Sequence, residues 1–360
     1  MLELINLPLR NKVPRNTNSS PGLIIEKVLA YDVLKSINTF ACILFSMVGI
    51  SQEISDVSPV LSGGYVPGIM GVRDYVNPGV DGLFFLDYNI FLNSDSYFDQ
   101  DGNKVNAIGN IPFDVNISGY INSLMLVYAS PNLDFLGEAQ YLFIVSPNYA
   151  TAGFGVGLGE INSGNPINGG ASGFGDLTVS PIMLSWSQEK FDLTAGYLFI
   201  APTGRYETGS EDNVGLGYWS HNVQAAFYFY PKPDKSTAIL IMPTYEWHSS
   251  IKDADVKPGS RFILEYGISQ YVSERLEITL QGGHAWQIGK DSGTDVYWDT
   301  NTKDQMSLVG AGLGYWIKPN TFYIQGKYGT TYNNKQHFRA NIFQIELLVT
   351  TNLLKKKKID

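Results

Sequence analysis

The chain has 360 residues and carries 34 acidic against 25 basic side chains, a formal net charge of −9. That balance argues against a nucleic-acid partner, which calls for a basic surface, and the single cysteine, Cys42, excludes an intrachain disulfide and a cysteine-built metal site. Charged residues make up 16% and aromatics 13%, against roughly 25% charged in an ordinary soluble domain, so the composition allows a membrane protein without requiring one.

Residues 1–34 are mixed polar and apolar and read as a long upstream leader or a translation start placed too early. Residues 35–51 have the order of an export signal: Lys35, the apolar stretch 37–50, then the small-x-small pattern of Gly49, Ile50 and Ser51. The apolar stretch falls short of the ~20 residues that a membrane-spanning helix needs. Cys42 sits inside it, not after it, which argues against a lipoprotein anchor. A buried helix of a small N-terminal domain is the alternative. Residues 52–79 are expected as a periplasmic lead-in.

From 80 to 353 the chain repeats an alternating, aromatic-rich run followed by a turn. Runs are predicted at 81–93, 117–129, 134–147, 174–187, 189–201, 221–231, 236–249, 259–272, 275–289, 305–318, 321–331 and 336–351. Short links, such as 187–190, 231–235 and 272–275, alternate with long polar loops at 93–111, 148–172, 201–220 and 290–303. Short turns on one side and long loops on the other are the rhythm of an outer-membrane barrel. The expected fold class is therefore all-β: a transmembrane antiparallel up-and-down β-barrel of about 12 strands, preceded by an N-terminal signal segment. A soluble sandwich would share the period of two with the opposite meaning, apolar inside and polar outside. Residues 354–360, with four consecutive lysines from Lys355 to Lys358, read as a solvated basic tail.

Parity sorts the side chains of each run. Phe84, Leu86, Tyr88, Ile90 and Leu92 are expected to face lipid, with Asp87 and Asn89 inward. Phe191, Leu193, Ala195, Tyr197 and Phe199 oppose Asp192, Thr194 and Gly196; Phe262, Leu264, Tyr266 and Ile268 oppose Arg261, Glu265 and Ser269. Leu276, Ile278 and Leu280 oppose Glu277, Thr279 and Gln281, and Phe343, Ile345, Leu347 and Val349 oppose Gln344 and Glu346. Aromatics near the run ends, among them Tyr65, Tyr149, Trp219, Trp247, Trp286 and Trp316, suit interfacial girdles. The expected lumen is acidic: Asp87, Glu138, Asp192, Glu246, Glu265, Glu277 and Glu346, with Arg261 and Lys327 as counterparts. These groups form either an internal bracing network or a cation-leaning solute path, and both can hold. Inward Gly310, Gly312 and Gly314 leave room for an inserted loop or a passing solute.

Chemistry is sparse. His221, His248, His284 and His337 lie in separate segments without metal-ligand spacing. His284 falls on an apolar parity, where a serine on a neighbouring strand (Ser269 or Ser307) would make a dyad; a bulge at Gly282 and Gly283 would explain it without catalysis. The glycine-rich run from Gly153 to Gly159 lacks the lysine of a phosphate loop and reads as a flexible loop or a segment folded into the lumen. Asp95, Asp99, Asp101 and Asn103 resemble part of a calcium loop, but the closing glutamate is missing.

Gly175-Asp176-Leu177, Gly196-Tyr197, the corner Ala201-Pro202-Thr203-Gly204-Arg205-Tyr206, and the stretch from Asn213 to Tyr218 and Trp219 resemble the outer-membrane family named for the meta-pathway of phenol degradation. The early Gly64-Tyr65-Val66-Pro67-Gly68 is similar to that family's mature start. The resemblance covers roughly 63–353 and implies a channel-like protein of a Gram-negative outer membrane that passes small hydrophobic or aromatic molecules. One departure is the end of the chain, lysine-rich and closing on Ile359-Asp360 where many outer-membrane barrels end on an aromatic residue. The function expected is passive uptake with no cofactor, no metal and no covalent step. The partners are outer-membrane lipid and small apolar or aromatic solutes, and a monomer is the first expectation. A structural or adhesive barrel with a closed lumen and a membrane-embedded lipid hydrolase are the alternatives.

Overall fold

The computed structural model describes residues 64–350 apart from 109, 163–166, 209 and 211. The expected leader, signal segment and lysine tail lie outside the described residues. Twelve antiparallel strands close into one barrel: β1 (Gly82–Ser94), β2 (Asp114–Leu133), β3 (Ala139–Ser146, prolonged past Pro147 by Asn148–Gly157), β4 (Ile167–Phe174, prolonged past Gly175 and Asp176 by Leu177–Ser187), β5 (Phe191–Ala201), β6 (Ser220–Phe229), β7 (Thr237–His248), β8 (Arg261–Tyr271), β9 (Leu276–Gln287), β10 (Gln305–Lys318), β11 (Phe322–Lys335) and β12 (Asn341–Thr350). Each strand pairs with its sequence neighbours, and β1 pairs with both β2 and β12, which closes the ring. Closure leaves no unpaired sheet edge in the hydrocarbon, where an unsatisfied backbone group is costly.

The wall is inside-out relative to a soluble sandwich. Ile241, Leu280 and Leu313 are 51%, 55% and 60% exposed, while Arg261, Glu265 and Glu346 are buried. The expected parity holds in β5, β8, β9 and β12: Asp192, Thr194, Arg261, Glu265, Ser269, Glu277, Thr279, Gln344 and Glu346 all face inward and are buried. It fails in β1. There Leu86, Tyr88 and Ile90 are buried inward, whereas Phe85 and Phe91 are 37% and 43% exposed, so Asp87 and Asn89 face out. Both faces of this strand are rich in apolar residues, which removes the contrast that parity relies on.

Most of residues 148–172, expected as a loop, is instead wall, formed by Asn148–Gly157 and by the strand that begins at Ile167. Tyr149 pairs with Phe174 and the register runs on to Val156 with Ile167, so β3 and β4 rise past the rim as a hairpin. Above the outward Tyr149 and Phe174 its outward residues (Thr151, Gly153 and Ser172) are small or polar, as expected for a wall that stands clear of lipid. Its inner face carries Phe154, Val156 and Leu158, which pack on Phe113, Val115 and Ile117 and on Tyr97 and Phe338 from the connections after β1 and after β11. Two short strands, Tyr97–Phe98 and His337–Phe338, pair and tie those loops together. The glycine run is thus neither a flexible loop nor a lumen plug.

Prolines interrupt the ladder at Pro131 of β2, where the register against β3 shifts between Ala129 and Asn132, and at two further places. At Pro181 of β4 the register shifts against β5 between Tyr197 and Phe199 and against β3 between Leu142 and Ile144. Ser180 Oγ donates to the carbonyl of Tyr197 at 2.9 Å in place of the N–H that proline lacks. At Pro243 of β7 the pairing with β6 skips from Gln224–Thr244 to Phe227–Ile241.

If the outward rows touch lipid, Leu313→Arg near mid-depth is expected to cost about 2–4 kcal/mol in reversible unfolding from liposomes. An unchanged unfolding free energy would place Leu313 outside the hydrocarbon band.

Candidate functional site: a strap and a cavity inside the barrel

The lumen is occupied by the segment 64–80, which the sequence assigns to a periplasmic lead-in. It runs from Glu246 near the long-loop end of β7 to the short-turn start of β1, held along its length by inward polar groups. The N–H of Gly64 donates to Glu246 Oε1 at 3.1 Å, Tyr65 O–H donates to Glu265 Oε1, and the N–H of Gly68 donates to Glu265 Oε2 at 2.6 Å. Lys327 Nζ donates to the three successive carbonyls of Gly68, Ile69 and Met70 at 2.8, 2.7 and 3.1 Å, and Gln281 Nε2 reaches those of Gly68 and Met70 at 2.8 and 3.2 Å. Arg73 pairs with Glu277 at 3.3 Å and donates to Ser269 Oγ at 2.6 Å. Tyr88 O–H donates to Asp74 at 2.8 Å. Thr194 Oγ1 donates to the carbonyl of Tyr75 at 2.7 Å, and Asn77 Nδ2 donates to that of Ser185 at 2.9 Å. Gly68 has φ +78°, a backbone conformation that favours glycine, and a Cβ there would displace the tip of the Leu308 side chain.

The expected lumen residues separate into those the structure brings to the strap and those it does not. Glu246, Glu265, Glu277, Lys327 and Glu346 lie along it. Arg261 sits above it between Asp304, its hydrogen-bonded partner, and Glu246 at 4.0 Å. Asp192 braces the short-turn end, accepting from Tyr230 O–H at 2.7 Å and pairing with Lys235 at 2.9 Å. Two assignments are corrected. Glu138 is an exposed residue of the turn after β2, at φ +62°, because β2 runs to Leu133 and pushes the turn later. Asp87 is outward, as described above. The room beside Gly314 is filled by the Tyr323 ring, whose hydroxyl donates to Glu277, and Gly310 lines a narrow gap beside Gly68 and Lys327. Tyr65, expected in a girdle, is part of the strap. Arg73, Asp74 and Tyr75 escaped the sequence reading because no strand periodicity frames them.

The strap leans on the polar arc of β7 to β11. Against the opposite arc, β1 to β5, a cavity of about 590 Å³ remains. Its wall is formed by Phe84, Leu86, Met125, Val127, Leu142, Ile144, Met183, Leu198 and, from β12, Leu348; strap residues Met70, Tyr75, Val76, Pro78 and Val80 face them. Near the short-turn rim it reaches Asn320 and Thr350. That volume falls in the range of small-molecule sites, and the lining is largely apolar. Ser180 at the Pro181 bulge also borders it.

The recurrent motif residues build the long-loop rim. Asp176 accepts the N–H of Gly204 at 2.9 Å and of Leu216 at 2.7 Å, and burial pushes its carboxyl above the usual range while these two donors pull it down. Thr203 Oγ1 donates to the carbonyl of Gly175 at 3.3 Å and accepts the N–H of Leu177 at 3.0 Å. Pro202, with its fixed φ, begins this corner; Tyr206 packs over Gly217. Trp219 lies 43% exposed in an outward aromatic row beside Phe199 and His221. The motif is architecture, not a ligand site.

His284 is outward in an unbroken register through Gly282 and Gly283, so no bulge explains it. Its Nδ1 lies 2.7 Å from Ser307 Oγ and its Nε2 3.0 Å from Tyr266 O–H. Ser307 is 0% exposed, which leaves the hydroxyl no face to present, and a tyrosine stands where a dyad would want an acid. Ser269 points inward to Arg73 and Glu277. Asp99 folds its own turn, accepting the N–H groups of Asp101 and Asn103 at 2.9 and 2.8 Å. Among the described residues no three His, Cys, Asp or Glu side chains gather at metal distance.

The family model described as "Putative MetA-pathway of phenol degradation" matches residues 94–347. An outer membrane channel from Pseudomonas putida F1 shares 17% identity, covers 80% of this chain and 100% of its own, and superposes with a TM-score of 0.60. The translocator domain of the autotransporter NalP from Neisseria meningitidis follows at 10% identity, 77% and 91% coverage and 0.45. A Pseudomonas aeruginosa FadL homologue stands at 9%, 76% and 91%, and 0.40. No curated protein matches the chain.

Lys327→Met removes a cation that holds three strap carbonyls, at about 1.5–3 kcal/mol per charged hydrogen bond before relaxation. A thiol placed by Met70→Cys should then react faster with a water-soluble maleimide than in the Lys327 parent; equal rates would mean that the ammonium does not hold the strap. Asp176→Ala leaves two backbone donors unpaired and is expected to lower stability by about 1–3 kcal/mol, read as a lower temperature for loss of the folded electrophoretic band. Retention of the parent temperature would remove Asp176 from the rim's support.

Proposed function

The chain belongs to the family named for phenol degradation, and from its strap and cavity we propose that it is an outer-membrane channel for passive uptake of small hydrophobic or aromatic molecules in a Gram-negative bacterium. The observation that carries this reading is the split lumen. A water-filled pore for sugars or ions would be polar all round, whereas here the strap covers much of the polar arc and the remaining space has an apolar wall of Phe84, Leu86, Met125, Leu142, Met183 and Leu198, with Arg73, Asp74, Glu277, Gln325 and Glu346 along its other side.

An apolar solute gains by leaving water for such a wall, at about 25 cal/mol per Å² of apolar surface removed from water. No cofactor or covalent step enters this route. The carboxylates expected to line a cation path are engaged by the strap: Glu265 by Tyr65 and Gly68, Glu277 by Arg73 and Tyr323. Their role in this reading is to hold the strap, and the strap's position sets the width of the path. Ser180, beside the register shift at Pro181, borders the cavity, which offers a lateral way between lumen and lipid for a solute that partitions into membranes.

Liposomes carrying the protein should take up a small aromatic hydrocarbon faster than empty liposomes and should not take up a disaccharide; the reverse order would favour a polar pore, and no flux of either would favour the closed adhesive barrel. Leu142→Trp and Met183→Trp narrow the cavity and are expected to cut aromatic flux several-fold with the folded band unchanged; parental flux in both would place the route elsewhere. A disulfide from Asn77→Cys with Ser185→Cys fixes the strap, and flux should fall when it is oxidised and return on reduction.

A further inference from the structure

We propose that the outer face of β1 and β2 is an interface between two copies of this chain. Asp87 lies near the middle of the thirteen-residue β1, on the lipid side of the wall. Asn122 Nδ2 donates to Asp87 Oδ1 at 2.6 Å, Asn89 Nδ2 to Asp87 Oδ2 at 3.0 Å, and Tyr120 O–H to Asn89 Oδ1 at 2.7 Å. Four polar side chains, one of them a carboxylate, thus form a patch at a depth where headgroups and water do not reach. Such groups are unfavourable against hydrocarbon. Around the patch stand Phe85, Phe91, Leu124, Tyr128, Tyr149 and Phe343, between 37% and 47% exposed. A polar centre with an aromatic surround is the composition of a covered contact, not of a lipid-facing wall.

The register identifies the occupant as a second copy. Asn89 pairs with Asn122, Asp87 with Leu124, and Phe91 with Tyr120. A twofold axis along the membrane normal, passing between β1 and β2, sets β1 of one copy against β2 of the other at equal depth. Asn89 then meets Asn122 of the second copy, and the two carboxamides exchange donor and acceptor. The carbonyl oxygen of Asn122, which accepts no hydrogen bond among the described residues, gains a partner there. Asp87 meets Leu124 of the second copy, so the two carboxylates stay apart and keep their own amide donors. Tyr120 meets Phe91 of the second copy. The patch is therefore self-complementary, as a twofold contact must be, and it relies on interchain hydrogen bonds and close packing, the forces available between chains in lipid.

The test uses the full chain in lipid nanodiscs. Native mass measurement of the unaltered protein should give two copies per particle at low protein loading. In a Cys42→Ser background, a chain with Asn89→Cys and a differently tagged chain with Asn122→Cys should form a mixed-tag disulfide on mild oxidation. The same experiment with Ile239→Cys and Ile268→Cys, a directly paired couple on the far wall, should give at least tenfold less. Asp87→Leu combined with Asn89→Leu should shift the particle toward one copy while the folded band persists. A single-copy mass with no mixed-tag product would overturn the proposal and leave the cluster as a brace within its own wall. Equal cross-linking on both walls would overturn it as collision in the membrane.

Discussion

Lys327 donates to three consecutive carbonyls of one extended segment, and the rest of the lumen is arranged around that contact. A buried ammonium must find acceptors, and a strap without regular secondary structure must find donors for carbonyls that no sheet satisfies. Each meets the other's need. Glu246 and Glu265 answer the strap's N–H groups in the same way, and Glu277 answers Arg73. Glu246, Glu265, Glu277 and Lys327 are therefore engaged with the strap, and the opposite arc is free to be apolar.

From this division follows the cavity. The strap presents Tyr75, Val76, Pro78 and Val80 to the space that it leaves, beside Arg73, Asp74, Glu277 and Glu346, so the path is mostly apolar with a charged strip along one side. An acidic lumen read as an average would suggest a cation pore. The same residues, placed, describe a fastening. The distinction lies in what each carboxylate touches, and in the proposed function it leaves a route for uncharged molecules.

Much of the barrel was legible because lipid enforces a simple rule. In β8, Phe262, Leu264, Tyr266 and Ile268 alternate with Arg261, Glu265 and Ser269, and no other environment demands that order over so many strands. The rule failed where lipid does not apply it. β1 has apolar residues on both faces, since Leu86 and Ile90 face an apolar lumen, and its outward Asp87 and Asn89 break the pattern on the other side. Above the membrane, the paired residues from Ala150 to Val156 and from Ile167 to Gly173 need no outward apolar row, and their Gly, Ala, Ser and Thr read as a loop although they pair in register. The strap was beyond the pattern altogether. A non-periodic stretch of 17 residues, 64–80, looks like a linker, and only the positions of Lys327, Gln281 and Glu265 in space show that it is threaded inside.

The central claim is that the apolar arc inside the barrel, not the outer wall, receives the solute. Photolabelling with a small aromatic diazirine in liposomes, followed by peptide mass mapping, tests it most directly. The inward residues Phe84, Met125, Leu142, Met183 and Leu198 should carry the label, and an unlabelled aromatic competitor should remove it. Label confined to outward residues such as Phe91, Ile241 and Leu313, or unaffected by the competitor, would contradict the assignment of the cavity as the path.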